Sequence, residues 1–233
     1  MDNTVLQQRV DDVRARIAAA APERIGEVTL LAAVKYADVE QINALHEQCG
    51  VHDIGENRVQ QLLEHYEGIR DKESLRIHFI GTLQKNKVKY IADKVCMIHS
   101  LDSLSLAAEI ERQCAKIGKV MDVLVEINSG EEESKGGVMP ADVSDFCEKL
   151  TAFEHIRVRG FMTMAPKCEK KEEYHKYFSK TYQQCLDIWQ KKLDNISSME
   201  NATPVLSMGM SDSFEAAVRH GATIVRVGGA LFR

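Results

Sequence analysis

Eight short apolar runs, each followed by a stretch of different texture, constrain this chain more than any other feature. The clearest is Val28 to Val34, almost unbroken, as expected of a strand covered on both faces. The others cover 51–54, Ile77 to Ile80, Val95 to His99, Met121 to Ile127, Ile156 to Met162, Val205 to Ser207 and Ile224 to Val227. Between them the spacing predicts helices over about 38–49, 57–68, 84–93, 103–117, 140–151, 170–193 and 212–220. Val5, Leu6, Val10, Val13 and Ile17 recur at helical spacing and predict an opening helix. Alternating strands and helices imply a parallel sheet. Eight repeats imply closure into one TIM-like (β/α)8 barrel, a single domain over 1–233. The chain stops at Arg233 without room for an eighth following helix, so the opening helix is expected to take that place outside the barrel. An open doubly wound sheet is the alternative, but no G-x-G-x-x-G follows the first strand.

At 233 residues the chain can bury a full core without staples. A formal charge of −5 argues against a nucleic-acid binder, whose footprint is a basic patch. No apolar stretch approaches the length of a membrane span, and the N-terminus lacks the basic-then-apolar pattern of a secretory signal. Cys49, Cys96, Cys114, Cys147, Cys168 and Cys185 are scattered, with no C-x-x-C pair. They read as reduced thiols in a cytoplasmic protein, and no zinc site is expected.

In barrels of this kind, reactive groups lie at the C-terminal ends of the strands. Lys35 ends the first strand. It is either a snorkelling edge residue or a buried amine at the barrel mouth. Desolvation would lower its pKa from about 10.4 toward 7–8, where it becomes a nucleophile toward aldehydes. Leu206 to Asp212 joins the seventh strand to a helix, and Val225 to Gly229 ends the eighth. Small residues there let backbone N–H groups approach an anion, serine hydroxyls add donors, and these two loops are the usual phosphate site of the fold. N-capping by Ser211 or Ser213 is the plainer reading of the same residues.

Arg226 should face the same side as Gly228, and a guanidinium inside a barrel needs a partner, either a carboxylate or a ligand ring nitrogen. Asn57 either reaches a ligand oxygen or caps the next helix. His78 reads first as a satisfied core histidine. Lys85, Lys87, Lys89 and Lys94 read as a solvated face, Met162 and Met164 as barrel filling, and the charged loops at 131–137 and 167–173 as solvated surface.

These residues fall into a set of short motifs in order: Ala33-Val34-Lys35, Gly55-Glu56-Asn57, His78-Phe79-Ile80-Gly81 with Gln84-Lys85-Asn86-Lys87, Ser134-Lys135-Gly136, Arg159-Gly160-Phe161-Met162, Ser207 to Asp212, and Val225-Arg226-Val227-Gly228. Together, over about residues 5–233, they resemble the YggS/PROSC family of pyridoxal phosphate (PLP) homeostasis proteins. The resemblance implies a monomeric, cytoplasmic barrel like the N-terminal domain of alanine racemase, PLP fold type III. It implies PLP held as a Schiff base on Lys35, with Asn57 near the phenolic oxygen and Arg226 facing the pyridine nitrogen. Ser207, Ser211 and the backbone near Met208, Gly228 and Gly229 would hold the phosphate. His78 belongs to the set around the cofactor and is the candidate second base should the protein turn over amino acids. Relatives usually carry Thr where this chain has Gly229, so one hydroxyl donor is lost. The implied role is a non-catalytic PLP carrier in vitamin B6 homeostasis, with apo PLP-dependent enzymes as candidate recipients. A PLP enzyme with an unidentified amino-acid substrate is the alternative, and a cofactor-free Schiff-base aldolase is a third.

Overall fold

The computed structural model describes residues 3–24, 26–132, 134–190 and 203–233. Helix α1 (Asn3–Ala20) precedes β1 (Thr29–Ala33), α2 (Val39–Glu47), β2 (Asp53–Glu56), α3 (Val59–Gly68), β3 (Arg76–Phe79), α4 (Val88–Ile91), β4 (Met97–Leu101), α5 (Leu104–Lys116) and β5 (Met121–Ile127). Then come α6 (Val143–Leu150), β6 (Ile156–Thr163), α7 (Tyr174–Gln190), β7 (Val205–Ser207), α8 (Phe214–Arg219), β8 (Ile224–Val227) and α9 (Gly229–Phe232). The strands close in sequence order, β8 pairing with β1, into a parallel barrel.

Alternation along each strand divides its side chains between two environments. Leu30, Ala32, Val34, Ile54, Phe79 and Ile98 face outward into the large core beneath the helices. Inside the barrel the apolar cluster is small: Leu31, Ala33, Ile80 and Ile224, with Val205 against it. Much of the remaining bore is polar. Asp53, His78, His99, Ser207 and Arg226 are all buried on the strands.

Helix α1 fills the outer position expected of it, burying Leu6, Val10, Val13 and Ile17. Three arginines fasten it. Arg9 donates to the Leu231 carbonyl at 3.0 Å, Arg14 to those of Cys49 and Gly50 at 2.8 and 2.7 Å, and Arg16 pairs with Glu215 at 3.0 Å. A capping box starts α2: Asp38 Oδ1 accepts from Gln41 N, and Gln41 Oε1 from Asp38 N.

The sequence boundaries drift where polar residues continue a strand. β2 and β4 begin two residues later than the apolar runs suggest, because the ladders start at Leu31↔Asp53 and His78↔Met97. The basic helix expected over 84–93 is a 3-10 turn (Lys85–Lys87) and a single α turn. A short α9 follows β8 after all. The part of the long helix expected beyond 190 lies outside the described residues. Among the described residues no helix is long and apolar enough to cross a membrane, and no cluster of metal-ligand type occurs.

Candidate functional site

The C-terminal ends of β1, β7 and β8 meet at the barrel mouth. Ala32 pairs with Val227, which sets Gly228 beside Ala33. A Cβ on Gly228 would lie 2.8 Å from the Ala33 carbonyl oxygen, so only glycine lets the two chains approach this closely. Ser211 Oγ accepts from the Ala230 N–H at 3.2 Å, tying the loop after β7 to the turn after β8. Ser213, at the N-cap position of α8, makes no side-chain cap bond and instead accepts from Met210 N at 3.2 Å. The serines therefore shape the loop rather than cap the helix. Gly209, at φ +90°, lets α8 close against that loop, since a Cβ would sit 2.8 Å from Phe214 Cα. Met208 N–H is taken by Ile224 O at 3.1 Å. Ser211, Gly228 and Gly229 thus gather at the mouth, with the Ser211 and Gly229 N–H groups left without an acceptor among the described residues.

Lys35 stands two residues past the end of β1, in the turn at the rim that the Ala37 N–H closes onto the Val34 carbonyl at 2.9 Å. It is exposed rather than desolvated. Its Nζ lies 4.8 Å from the centroid of the Tyr36 ring, and the Arg233 guanidinium lies 3.7 Å from the same centroid. Lys35 foremost, and Arg233, draw the Tyr36 phenol below its ordinary pKa. Gln61 Nε2 donates to the Lys35 carbonyl at 3.2 Å and holds the backbone of the rim.

Below the mouth lies a column of buried polar groups. Arg226 Nη1 donates to Ser207 O and Oγ, both at 2.8 Å, and Nη2 to Thr163 O at 2.9 Å. Burial lowers its pKa to about 10, with Glu126 opposing, so it stays charged at neutral pH. Ser207 Oγ is 3.1 Å from His99 Nδ1, His99 Nε2 is 2.9 Å from His78 Nδ1, and His78 Nε2 is 3.0 Å from Asp53 Oδ1. Arg76 Nε donates to the same Asp53 oxygen at 2.7 Å. Burial raises the Asp53 carboxyl, but bonds from His78 and Arg76 outweigh it and hold the pKa at about 2. His78 and Ser207 are therefore placed in the bore, in one network with Arg226, and not with Ser211 and Gly229 at the mouth.

Asn57 lies on the second strand's rim. It does not cap α3, whose N-cap is Arg58, and its Oδ1 is buried without a partner. Its backbone is pressed by Gly81, where a Cβ would fall 2.1 Å from the Asn57 carbonyl oxygen.

Beside the turns after β7 and β8, the ends of β5, β6 and β7 enclose a cavity of about 1000 Å³ whose lining includes Glu126, Lys135, Lys167, Met164 and Met210. Glu126 is 7% exposed. Burial, then Asp102, raise its pKa to about 7 against the opposing pull of Arg226. A carboxyl raised in the fold supports stability below its unfolded value of 4.5 and loses that support as pH climbs through 7. Glu126→Gln is accordingly expected to be more stable than the parent at pH 8, by up to about 3 kcal/mol, with the difference vanishing near pH 4. Urea midpoints at the two pH values measure this.

Comparison with known proteins follows from this geometry. The alanine racemase N-terminal-domain family matches residues 7–233. A pyridoxal phosphate homeostasis protein of Aquifex aeolicus is 43% identical over 229 residues, 97% of this chain and 96% of the relative. One from Helicobacter pylori is 34% identical over 97% of this chain and 98% of its own. The chain belongs to the pyridoxal phosphate homeostasis protein family. Among solved structures, PipY of Synechococcus elongatus, determined with PLP bound, superposes with a TM-score of 0.81 at 27% identity, covering 95% of this chain and all of that one. An alanine racemase of Clostridium difficile shares the fold alone, with a TM-score of 0.69 at 17% identity over 96% of this chain and 56% of its own.

Within this homeostasis family's barrel, the sequence reading missed Asp53, His99 and Glu126. The signal available was position: each is a polar residue in or beside an apolar run that continues as a strand, as His78 is. The resemblance implies a threonine where this chain has Gly229. A Cβ there would meet Ser211 Oγ at 3.4 Å, so a larger side chain fits with slight adjustment. Gly229→Thr is expected to slow the loss of cofactor during dialysis about fivefold, the worth of one added hydrogen bond near 1 kcal/mol.

Proposed function

We propose that this chain binds PLP and serves its intracellular homeostasis as a monomeric, cytoplasmic carrier, attaching the cofactor covalently to Lys35. One observation carries the reading: the turns after β7 and β8, tied together by the Ser211–Ala230 bond and drawn close to β1 at Gly228, adjoin the strand that leads into Lys35. The family's names and the PLP-bound PipY structure support it. So do two features that suit the cofactor's chemistry. Asn57 is a rim amide whose Nδ2 can donate to a ligand oxygen, and Arg226 is a buried cation to which no carboxylate among the described residues is hydrogen-bonded.

Bound PLP would supply an aldehyde that condenses with a primary amine, and a phosphate that needs donors. The chain's residues divide that work. Lys35 Nζ offers the amine, and Ser211 with the free N–H groups receives the phosphate. Asn57 meets the phenolic oxygen, and Arg226 presents N–H donors to the ring nitrogen. A guanidinium offers no acceptor to a protonated ring nitrogen, so Arg226 would disfavour ring protonation, although racemases of this fold type also use arginine there.

Retention without turnover is supported by His78. Both its ring nitrogens are engaged, by His99 and Asp53, and it is 4% exposed. It is not poised as a base at the mouth. Apo PLP-dependent enzymes are the recipients this role implies. Borohydride reduction of the PLP-loaded protein followed by peptide mass mapping tests the reading. The label is expected on the peptide containing Lys35. No label, or a label confined to another lysine, overturns it. Exchange of amino-acid α-protons with deuterium above the rate of free PLP would overturn the non-catalytic part.

A further inference from the structure

The column in the bore has a direction. A guanidinium offers only donors, and an ionised carboxylate offers only acceptors. Arg226 at one end donates to Ser207 Oγ, which frees the serine O–H to donate to His99 Nδ1. His99 then carries its hydrogen on Nε2 and donates to His78 Nδ1, and His78 carries its hydrogen on Nε2 and donates to Asp53. Both ends demand the same polarity. Run the other way, the serine hydroxyl would lack an acceptor, and a neutral His78 would turn a lone pair toward a carboxylate. Burial above all pushes the His99 pKa well below its ordinary value, in keeping with a neutral ring. The members come from β2, β3, β4, β7 and β8, so the column spans the barrel's width, and no bulk water is needed to complete it.

We propose that His99 and His78 are positioning residues: as two neutral Nε2–H tautomers they relay a one-way hydrogen-bond chain from Arg226 to Asp53, which fixes the guanidinium for the cofactor's ring nitrogen. The last clause rests on the proposed function, whereas the relay itself does not. Fixing the guanidinium matters because Arg226 has no hydrogen-bonded carboxylate of its own. Ser207 and Thr163 hold it by two backbone carbonyls and one hydroxyl, and only the hydroxyl's orientation is set from below. Asp53 is thereby the remote counter-charge, itself pinned from the other side by Arg76.

Long-range nitrogen–proton correlation spectra of the uniformly 15N-labelled, cofactor-free protein at neutral pH test the relay directly, with His78→Gln and His99→Gln supplying assignments. Both rings are expected as Nε2–H tautomers with Nδ1 unprotonated. An Nδ1–H tautomer or an imidazolium at either position overturns the relay. In the same samples Arg226 is expected to show resolved guanidinium resonances that collapse to an average in His99→Leu. They should return in His99→Gln, whose side-chain oxygen and NH2 group can replace the acceptor and the donor. Resolved resonances persisting in His99→Leu overturn the positioning role. PLP labelled with 15N in its ring, loaded into the same three proteins, is expected to report an unprotonated nitrogen in wild type and His99→Gln, and a shift toward the protonated form in His99→Leu. An identical ring shift in all three would overturn the link to the cofactor. Failure of the cofactor to attach at Lys35, seen by borohydride mapping, would remove the proposed function while leaving the tautomer result standing.

Discussion

Replacing Lys35 with alanine is expected to eliminate all PLP that survives borohydride reduction and denaturation, while leaving the barrel folded. The two halves of that expectation have separate causes. Attachment requires a primary amine at the rim above the proposed phosphate site. The fold, by contrast, asks little of this side chain, since β1 ends at Ala33 and Lys35 is exposed. Substitutions at such surface positions usually change stability by no more than about 0.5 kcal/mol. Lys35→Arg separates charge from chemistry, because it keeps the cation but has no amine able to form the imine. Both variants should give a mass spectrum free of the pyridoxyl adduct and an unfolding midpoint near the parent's. An adduct of undiminished yield in either variant would relocate the site.

Gly160→Ala should do the opposite, damaging the fold while leaving Lys35 and its amine in place. Gly160 lies on β6 at φ +150°, where the β5–β6 register slips between Val123 and Leu124. A Cβ there would stand 2.0 Å from the Val205 carbonyl oxygen and 2.7 Å from its nitrogen. The obstruction is backbone, so β6 and β7 must part, and β7 carries Ser207 and leads into the proposed phosphate site. A loss of about 3 kcal/mol or more is expected, beyond ordinary overpacking, because side-chain strain and a disrupted ladder add. Gly118→Ala is the control. That glycine is also left-handed, at φ +63°, yet nothing lies within 4 Å of its added Cβ. It should cost about 1 kcal/mol from backbone conformation alone. Urea unfolding of both variants checks the contrast, and comparable losses would mean that conformation rather than collision governs Gly160.

How far the sequence could be read depended on what each residue needs in order to be recognised. Val28 to Val34 and Met121 to Ile127 declare themselves as strands because burial on both faces leaves an unbroken apolar run. The Asp53 to Glu56 strand was read two residues early, since its inward positions are an aspartate and a glycine serving the bore. Lys35 was found because it directly follows such a run, but its exposure was not legible: that depends on where β1 ends and on Tyr36 beside it. Ser211 and Gly228 were assigned to one phosphate site from their places after the seventh and eighth strands, and the Ser211–Ala230 bond joins those two turns. His78 was visible, but its partners were not. The contact between His78 and His99 requires the β3–β4 register, and that between His99 and Ser207 crosses the barrel, 108 residues apart in sequence. Single-chain patterns carry periodicity within an element and say nothing of such crossings. Glu126 was passed over because an acid inside an apolar strand looks like an interruption, and only the cavity it lines reveals what it faces.

The arginine fastenings of α1 bear on how the molecule comes to exist at all. Arg9 reaches a carbonyl in α9 that lies 222 positions further along the chain, and Arg16 reaches α8 across 199. Helix α2 and the Cys49–Gly50 turn can meet α1 early, but its contacts with α8 and α9 must wait until β8 has emerged. Closure is therefore a late and non-local event, slow by the rule that distant pairings delay folding. Because α9 begins at Gly229, the proposed phosphate site would gain its last wall in that same step, so under this reading a nascent chain lacks a complete place for its ligand.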